Sequence, residues 1–236
     1  MTSTAIVTGA AGGIGRAICE RLAADRWTLI CVDLSPRLAE LAVTLEQAGA
    51  SAIPVEANLT TEEGIDLLES AVEGKPPIEL IVNNAGVTRD ARLVNMTEEE
   101  FATVLDVNLG AALTIINRLA PKMKQGAIVN ISSRAYLGNF GQFNYSMSKG
   151  ALVGVTRAFA LSLAPSIRVN AIAPGLIATE MSMAIPAEVR DKMVTSIPIG
   201  RMGEPAEVAE LVAFLAAPGY ITGEVITIGG GRSLAR

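Results

Sequence analysis

Apolar runs of strand length alternate along the whole chain with stretches whose apolar positions recur at helical spacing. The runs at 4–8, 27–33, 51–57, 78–83, 126–131, 167–172 and 224–228 read as strands, and the segments between them as helices, the longest at roughly 97–120 and 145–163. Ala127-Ile128-Val129-Asn130-Ile131 is apolar almost throughout, as a strand covered on both faces requires. Parallel strands need crossover connections, and helical crossovers settle on the faces of the sheet. The pattern therefore predicts an α/β fold: a doubly wound, seven-stranded parallel sheet with helices on both faces. No linker or repeat divides residues 1–236, half of which are hydrophobic, so one domain with a large core is expected.

In such sheets ligands bind beyond the carboxyl ends of the strands, where the strand order reverses. The polar and glycine clusters fall at those ends. Thr8-Gly9-Ala10-Ala11-Gly12-Gly13-Ile14-Gly15 follows the first strand and opens a helix. Glycines suit a turn that lets a pyrophosphate approach the N–H groups of a helix N-terminus, whose partial positive charge favours the anion. Asp33 ends the second strand about 20 residues later, where a carboxylate accepts from a ribose 2′-hydroxyl. A 2′-phosphate would be repelled there, and Gly12 offers no cation to receive it, so NAD is expected over NADP. The plainer reading of Asp33 is a cap for the helix beginning near Pro36.

Tyr145 and Lys149 stand four residues apart at the head of a helical segment and so share a face. A phenol with an ordinary pKa of about 10 is a poor base at neutral pH, but a neighbouring cation favours its ionised form. In isolation the pair would be a packed Tyr beside a solvated Lys. Its position after the fifth strand, close to Ser132 and Ser133, gives it chemical meaning.

Composition narrows the alternatives. A formal charge of −5 without a basic run argues against nucleic acid or an anionic membrane as partner. The chain has no histidine, which excludes zinc-dependent alcohol dehydrogenase chemistry and leaves proton transfer to Tyr, Lys, Ser or a carboxylate. Cys19 and Cys31 form no metal-ligand pattern and read as buried apolar residues of a reducing, cytoplasmic compartment; no metal site is expected. Met1-Thr2-Ser3-Thr4 lacks the basic charge of a signal peptide, and the apolar run after it is too short for a membrane span.

Taken in order, the motifs resemble the short-chain dehydrogenase/reductase family over nearly the whole chain. They are the turn from Thr8 to Gly15, Asn83-Asn84-Ala85-Gly86, Asn108, Ser133 with Tyr145 and Lys149, Pro174-Gly175 followed by Thr179, and Ile221-Thr222-Gly223-Glu224 before the last strand. The resemblance implies a single-domain Rossmann fold, a nicotinamide cofactor, and a homotetramer built on the two long helices and the last strand. It makes Tyr145 the acid/base, and Lys149 both a ribose ligand and the cation that lowers the phenol pKa. Ser133 holds the substrate oxygen, and Asn108 holds a water on the proton path from Lys149. Cofactor contacts are implied for Gly9, Gly13, Ile14, Gly15, Asp33, Asn58, Leu59, Asn84, Ala85, Gly86, Pro174, Gly175, Ile177 and Thr179. Plainer roles are a turn residue for Asn58 and a helix N-cap for Thr179. Ser133 precedes Tyr145 by twelve positions, one fewer than in most members; Ser132 would restore the commoner spacing, but alignment on the strand favours Ser133.

The stretch 176–198, with Met181, Met183, Ile185 and Met193, is expected to form a lid over an apolar substrate. Gly86-Val87-Thr88-Arg89-Asp90 and the C-terminal third resemble the 3-oxoacyl carrier-protein reductase branch. Where that branch carries basic residues for an acidic carrier, only Lys124 stands near the turn before Gly126, and Pro165 and Ser166 occupy the other region. Asp33 also departs from the branch's NADPH preference. The expected activity is therefore NAD-linked interconversion of a secondary alcohol and a ketone, with 3-oxoacyl thioester reduction as the alternative. A catalytically idle NAD-sensing regulator is a remote third, because such proteins commonly lose the Tyr and Lys present here.

Overall fold

The computed structural model describes residues 3–234. Seven strands, β1 (Thr4–Thr8), β2 (Thr28–Asp33), β3 (Ser51–Glu56), β4 (Ile78–Asn83), β5 (Gly126–Ile131), β6 (Ile167–Pro174) and β7 (Val225–Ile228), form one sheet. Its order is β3-β2-β1-β4-β5-β6-β7, and every pairing is parallel. The strands match the apolar runs to within one or two residues. The second starts at Thr28, because the Trp27 N–H turns back to the Leu22 carbonyl at 3.2 Å. The sixth runs on to Pro174, because Ala173 and Pro174 pair with Thr227 and Ile228.

Alternation within each buried strand builds two cores. Ala5 and Val7 of β1 face α1 (Gly13–Ala24), α2 (Arg37–Gln47) and, later in the chain, α9 (Pro205–Ala216), meeting Ile18, Leu22, Leu41, Val208 and Val212. Ile6 points the other way, towards α3 (Glu62–Ala71), α5 (Ala111–Leu119) and α6 (Phe143–Leu163), with Ile65, Leu68, Ile115 and Ile116. Each such side chain contributes about 1.5–3 kcal/mol on full burial, so both layers hold the sheet. Cys19 and Cys31 lie in the first core as free thiols sharing a hydrogen bond, their Sγ atoms 3.7 Å apart.

The helix expected over 97–120 is not one regular α-helix. Thr97 opens α4 (Glu98–Leu105) with a capping box, its Oγ1 accepting from Glu100 N at 3.1 Å and the Glu100 carboxylate accepting from Thr97 N at 2.9 Å. The helix then widens into a π turn at Asp106–Gly110 before α5 begins. Such turns place one residue out of α register and recur at functional sites. Here that segment contains Asn108. The helix carrying Tyr145 begins at Phe143, two residues earlier than the pattern indicates. Asn144 anchors that start by donating from Nδ2 to the Arg89 and Glu100 carbonyls at 3.1 and 3.3 Å. Phe143 also stacks on Phe101 of α4, the ring centroids 6.1 Å apart. Among the described residues no helix is long and apolar enough to cross a membrane.

Candidate active site

Strand order reverses between β1 and β4, and a cleft of about 720 Å³ opens at the carboxyl ends there. Every residue assigned a cofactor or catalytic role from the sequence lines this cleft except Asn108, which is buried behind it.

At one end, Gly12, Gly13, Ile14 and Gly15 form the entry to α1, whose N-cap Gly12 supplies no side-chain cap. Gly9 adopts φ +63°, a left-handed conformation that glycine tolerates. At Gly15 a Cβ would stand 2.0 Å from the Gly9 carbonyl oxygen, so only hydrogen fits. We expect Gly15→Ala to cost roughly 1–3 kcal/mol, a fall of about 5 °C in Tm at this chain length, and to weaken cofactor binding. Thermal melting and equilibrium titration check this, and an unchanged melt would refute the close packing.

Asp33 reaches into the same end, its two carboxylate oxygens accepting from Ala11 N and Ser35 N at 2.9 Å each. It thus ties the glycine turn to β2 and forms the turn before α2, but it does not cap that helix, whose N-cap Pro36 has no side-chain cap bond. Asn84 fastens the other side, donating from Nδ2 to the Thr8 and Gly9 carbonyls at 2.9 and 3.0 Å. Ala85 N donates to Thr8 Oγ1 at 3.0 Å. Asn58 is exposed, and its Oδ1 accepts from Thr60 N and Oγ1 at 3.1 and 2.8 Å, so it is a turn residue as well as a lining one. Leu59 is buried beneath it. Thr179 caps α7 (Glu180–Met183) and stands so close to Gly13 that a Cβ there would meet its methyl group at 3.0 Å. Pro174, Gly175 and Ile177 complete that wall.

At the other end the structure separates the two serines. Ser132 is buried and donates to the Lys149 carbonyl at 2.8 Å, fixing α6 to the end of β5. Ser133 is only partly buried; its Oγ accepts from Ala135 N at 3.1 Å and stands beside the Tyr145 phenol. Lys149 is buried, with Nζ donating to the Ile131 carbonyl at 2.8 Å and lying 5.8 Å from the Tyr145 ring centroid. A Cβ on Gly86 would meet Nζ at 3.2 Å, so the fourth-strand motif and the lysine are in contact range.

Residues 9–233 match the family model described as enoyl-(acyl carrier protein) reductase. The chain belongs to the short-chain dehydrogenase/reductase family. Among curated members, the 3-oxoacyl-[acyl-carrier-protein] reductase FabG of Thermotoga maritima is 40% identical, over 96% of each chain. The enzyme of the same name from Aquifex aeolicus is 44% identical over 96% of this chain and 95% of its own. Among solved structures, a Serratia marcescens short-chain dehydrogenase/reductase mutant superposes with a TM-score of 0.93, at 32% identity and 98% coverage of both chains. A blue fluorescent protein from a metagenomic library, in complex with NADPH, gives a TM-score of 0.92 at 31% identity, covering 98% of this chain and 97% of that one.

Members of this dehydrogenase/reductase family bind a nicotinamide cofactor, and the cleft fits one. The uncapped N-terminus of α1 and the glycines that admit no Cβ form a cradle suited to a pyrophosphate. One electrostatic expectation needs correction. The Tyr145 pKa lies above the ordinary phenol value, not below it: burial pushes it up, the Ser133 hydroxyl pulls it partly back, and the Asp90 carboxylate raises it again. Burial also lowers the lysine itself, to about 8. The side chain of Asn108 is bonded within the protein. Its Oδ1 accepts from Val87 N at 2.8 Å, while Nδ2 donates to Val87 O and Ser148 Oγ, each at 3.1 Å.

The sequence reading gave no site role to five charged lining residues: Arg37, Asp90, Glu180, Arg134 and Arg232. Arg37 and Glu180 form a salt bridge from the start of α2 to α7, joining the Asp33 end of the cleft to the 176–198 stretch. No local pattern signals a contact between positions 143 residues apart. Arg134, directly after Ser133, was visible in sequence but has no motif to mark it.

Proposed function

We propose that the protein reduces the 3-oxo group of acyl thioesters, and can oxidise the matching 3-hydroxyacyl compounds, with NAD(H) as its preferred cofactor. The observation that carries this reading is the convergence of Ser133, Tyr145 and Lys149 at one end of the cleft whose other end is the glycine cradle. The FabG relatives favour the 3-oxoacyl substrate over the simple secondary alcohol expected from the sequence.

The bound cofactor supplies or accepts hydride. Ser133 holds the substrate oxygen by a hydrogen bond, fixing the carbonyl in one orientation. Tyr145, kept protonated by its buried setting, donates its phenolic proton to that oxygen as the carbon gains hydride, so C=O becomes CH–OH. The phenolate left behind is stabilised by the Lys149 ammonium, which is anchored at the Ile131 carbonyl and keeps two further N–H groups for the phenolate and a ribose hydroxyl. Oxidation runs the same steps backwards. Asn108 acts as a positioning residue that holds the Gly86–Val87 backbone against the site. The 176–198 stretch closes as a lid; its helix α8 (Ala187–Thr195) has no buried side chain. Four chains assemble through α4–α5 and α6, where Leu161 is 85% exposed on a single chain. The two buried free cysteines suit a reducing, cytoplasmic setting.

Initial rates on 3-oxoacyl thioesters and on simple ketones, each with NADH and NADPH, test the reading. Faster turnover of the thioesters supports it; a preference for simple ketones restores the alcohol dehydrogenase reading. Asp33 supports NAD because its carboxylate lines the adenosine end, while the nearby Arg37 is held by Glu180. Asp33→Ala is expected to shift the NAD-to-NADP ratio of kcat/KM by about tenfold or more towards NADP. A wild-type preference for NADPH in the same assay would overturn the assignment.

A further inference from the structure

Two arginines in the cleft have no part in the steps above. Arg134 opens a short 3₁₀ helix, Arg134–Leu137, immediately after Ser133. Arg232 follows β7, its N–H donating to the Gly229 carbonyl at 3.1 Å. Both are partly buried. Neither guanidinium forms an ion pair with a carboxylate among the described residues. The other partly buried arginine of comparable setting, Arg168, is satisfied by backbone carbonyls, its guanidinium donating to Leu215 O and Ala217 O at 2.9 and 2.8 Å. The Nε of Arg134 is buried without any hydrogen-bond partner among the described residues.

The two cations also feel each other. The Arg232 pKa is pushed down, first by burial and then by the like charge of Arg134. Asp90, the carboxylate lining this end of the cleft, accepts from Gln142 Nε2 at 2.8 Å and does not neutralise them. Two partly buried cations without a counter-ion among the described residues, one of them with an orphaned donor, are unfavourable unless an anion completes the set. Planar guanidinium donors match carboxylate and phosphate oxygens.

We propose that Arg134 and Arg232 form a receptor for an anionic group of the substrate, a carboxylate or a phosphate, in the cleft that also holds Ser133. This rests on the oxidoreductase reading and narrows its substrate class. An acyl compound with a free carboxylate qualifies, as does one on a phosphate-bearing thioester arm. A wholly neutral ketone, the kind of substrate the lid methionines suggest, does not.

Two matched pairs separate the sources of the anion: 3-hydroxyhexanoate against its methyl ester, and 3-oxobutanoyl-coenzyme A against the neutral N-acetylcysteamine thioester. The wild-type full-length chain is expected to favour the anionic member of at least one pair by about tenfold or more in kcat/KM, equivalent to ~1.4 kcal/mol. Arg134→Gln and Arg232→Gln should each collapse that ratio, and Arg134→Lys should retain part of it. A response in the first pair places the anion as a carboxylate, and in the second as the phosphate of the arm. A wild-type ratio near one, or variants that slow both members of a pair equally, would overturn the proposal.

Binding gives a readout independent of turnover. With NAD⁺ saturating, so that the pyrophosphate cradle is filled, calorimetric titration with malonate and with inorganic phosphate should show at least one binding to the wild type and losing affinity in both variants. A wild type that binds neither, or variants that bind as tightly as the wild type, contradicts the receptor. If none of the compounds turns over, the oxidoreductase reading fails while the titration still decides this one. Should Arg134→Gln misfold by circular dichroism, Arg232→Gln decides alone.

Discussion

Tyr145→Phe is expected to lower kcat by on the order of 10²–10⁴-fold while leaving cofactor affinity within about twofold. The substitution keeps the ring and its packing but removes the phenolic proton at the cleft's catalytic end. A phenol whose pKa is raised by burial is protonated at neutral pH and suited to donating a proton to a carbonyl oxygen. Steady-state rates set beside equilibrium titration of the cofactor make the comparison. A variant with near-normal turnover would remove Tyr145 from the chemistry.

Lys149→Met is expected to impair turnover and cofactor binding together, and at the same time to raise Tm near neutral pH. The lysine is buried, and burial alone lowers its pKa from 10.5 to about 8. Below about 8 the amine is charged in both the folded and the unfolded chain, so the fold carries a desolvated cation. Between about 8 and 10.5 the unfolded chain still binds the proton and the folded one does not, so wild-type stability from this group rises with pH across that window. The melting gap between Lys149→Met and wild type should therefore be widest at neutral pH and close as pH climbs towards 10.5. Differential scanning calorimetry across this range checks it; a variant that melts below wild type at neutral pH would contradict the account. Retention of such a lysine where methionine would be more stable is what a functional group at the expense of stability looks like.

The sheet was legible because each strand is a short apolar run buried on both faces, and alternate residues of the same strand serve opposite cores, as Val7 and Ile6 do. The ligand end was legible because polar residues and glycines punctuate those runs at one edge only. The choice between the two serines needed the fold, since it turns on which hydroxyl reaches back to the Lys149 carbonyl; Ser132 does, at 2.8 Å. The phenol's pKa direction was misread because sequence spacing places Lys149 near the ring but says nothing of the burial that outweighs it. The π turn at Asp106–Gly110 has no compositional signal, and it was the engagement of Asn108 with Val87 that the apolar pattern concealed. Arg37 with Glu180, and Arg134 with Arg232, are brought together from distant positions by the winding of the sheet, which no local pattern encodes.

The central claim is that Tyr145, oriented with Ser133 and Lys149, completes hydride transfer to a 3-oxoacyl group in this cleft. A single-turnover reaction tests it most directly: wild-type protein in excess over reduced cofactor, mixed with a 3-oxoacyl thioester, with cofactor oxidation and 3-hydroxyacyl product followed together. The account predicts one 3-hydroxyacyl product for each reduced nicotinamide consumed, and no product on the same timescale from Tyr145→Phe with cofactor bound. Cofactor that remains reduced in the wild type, or product formed equally fast by the variant, would contradict it.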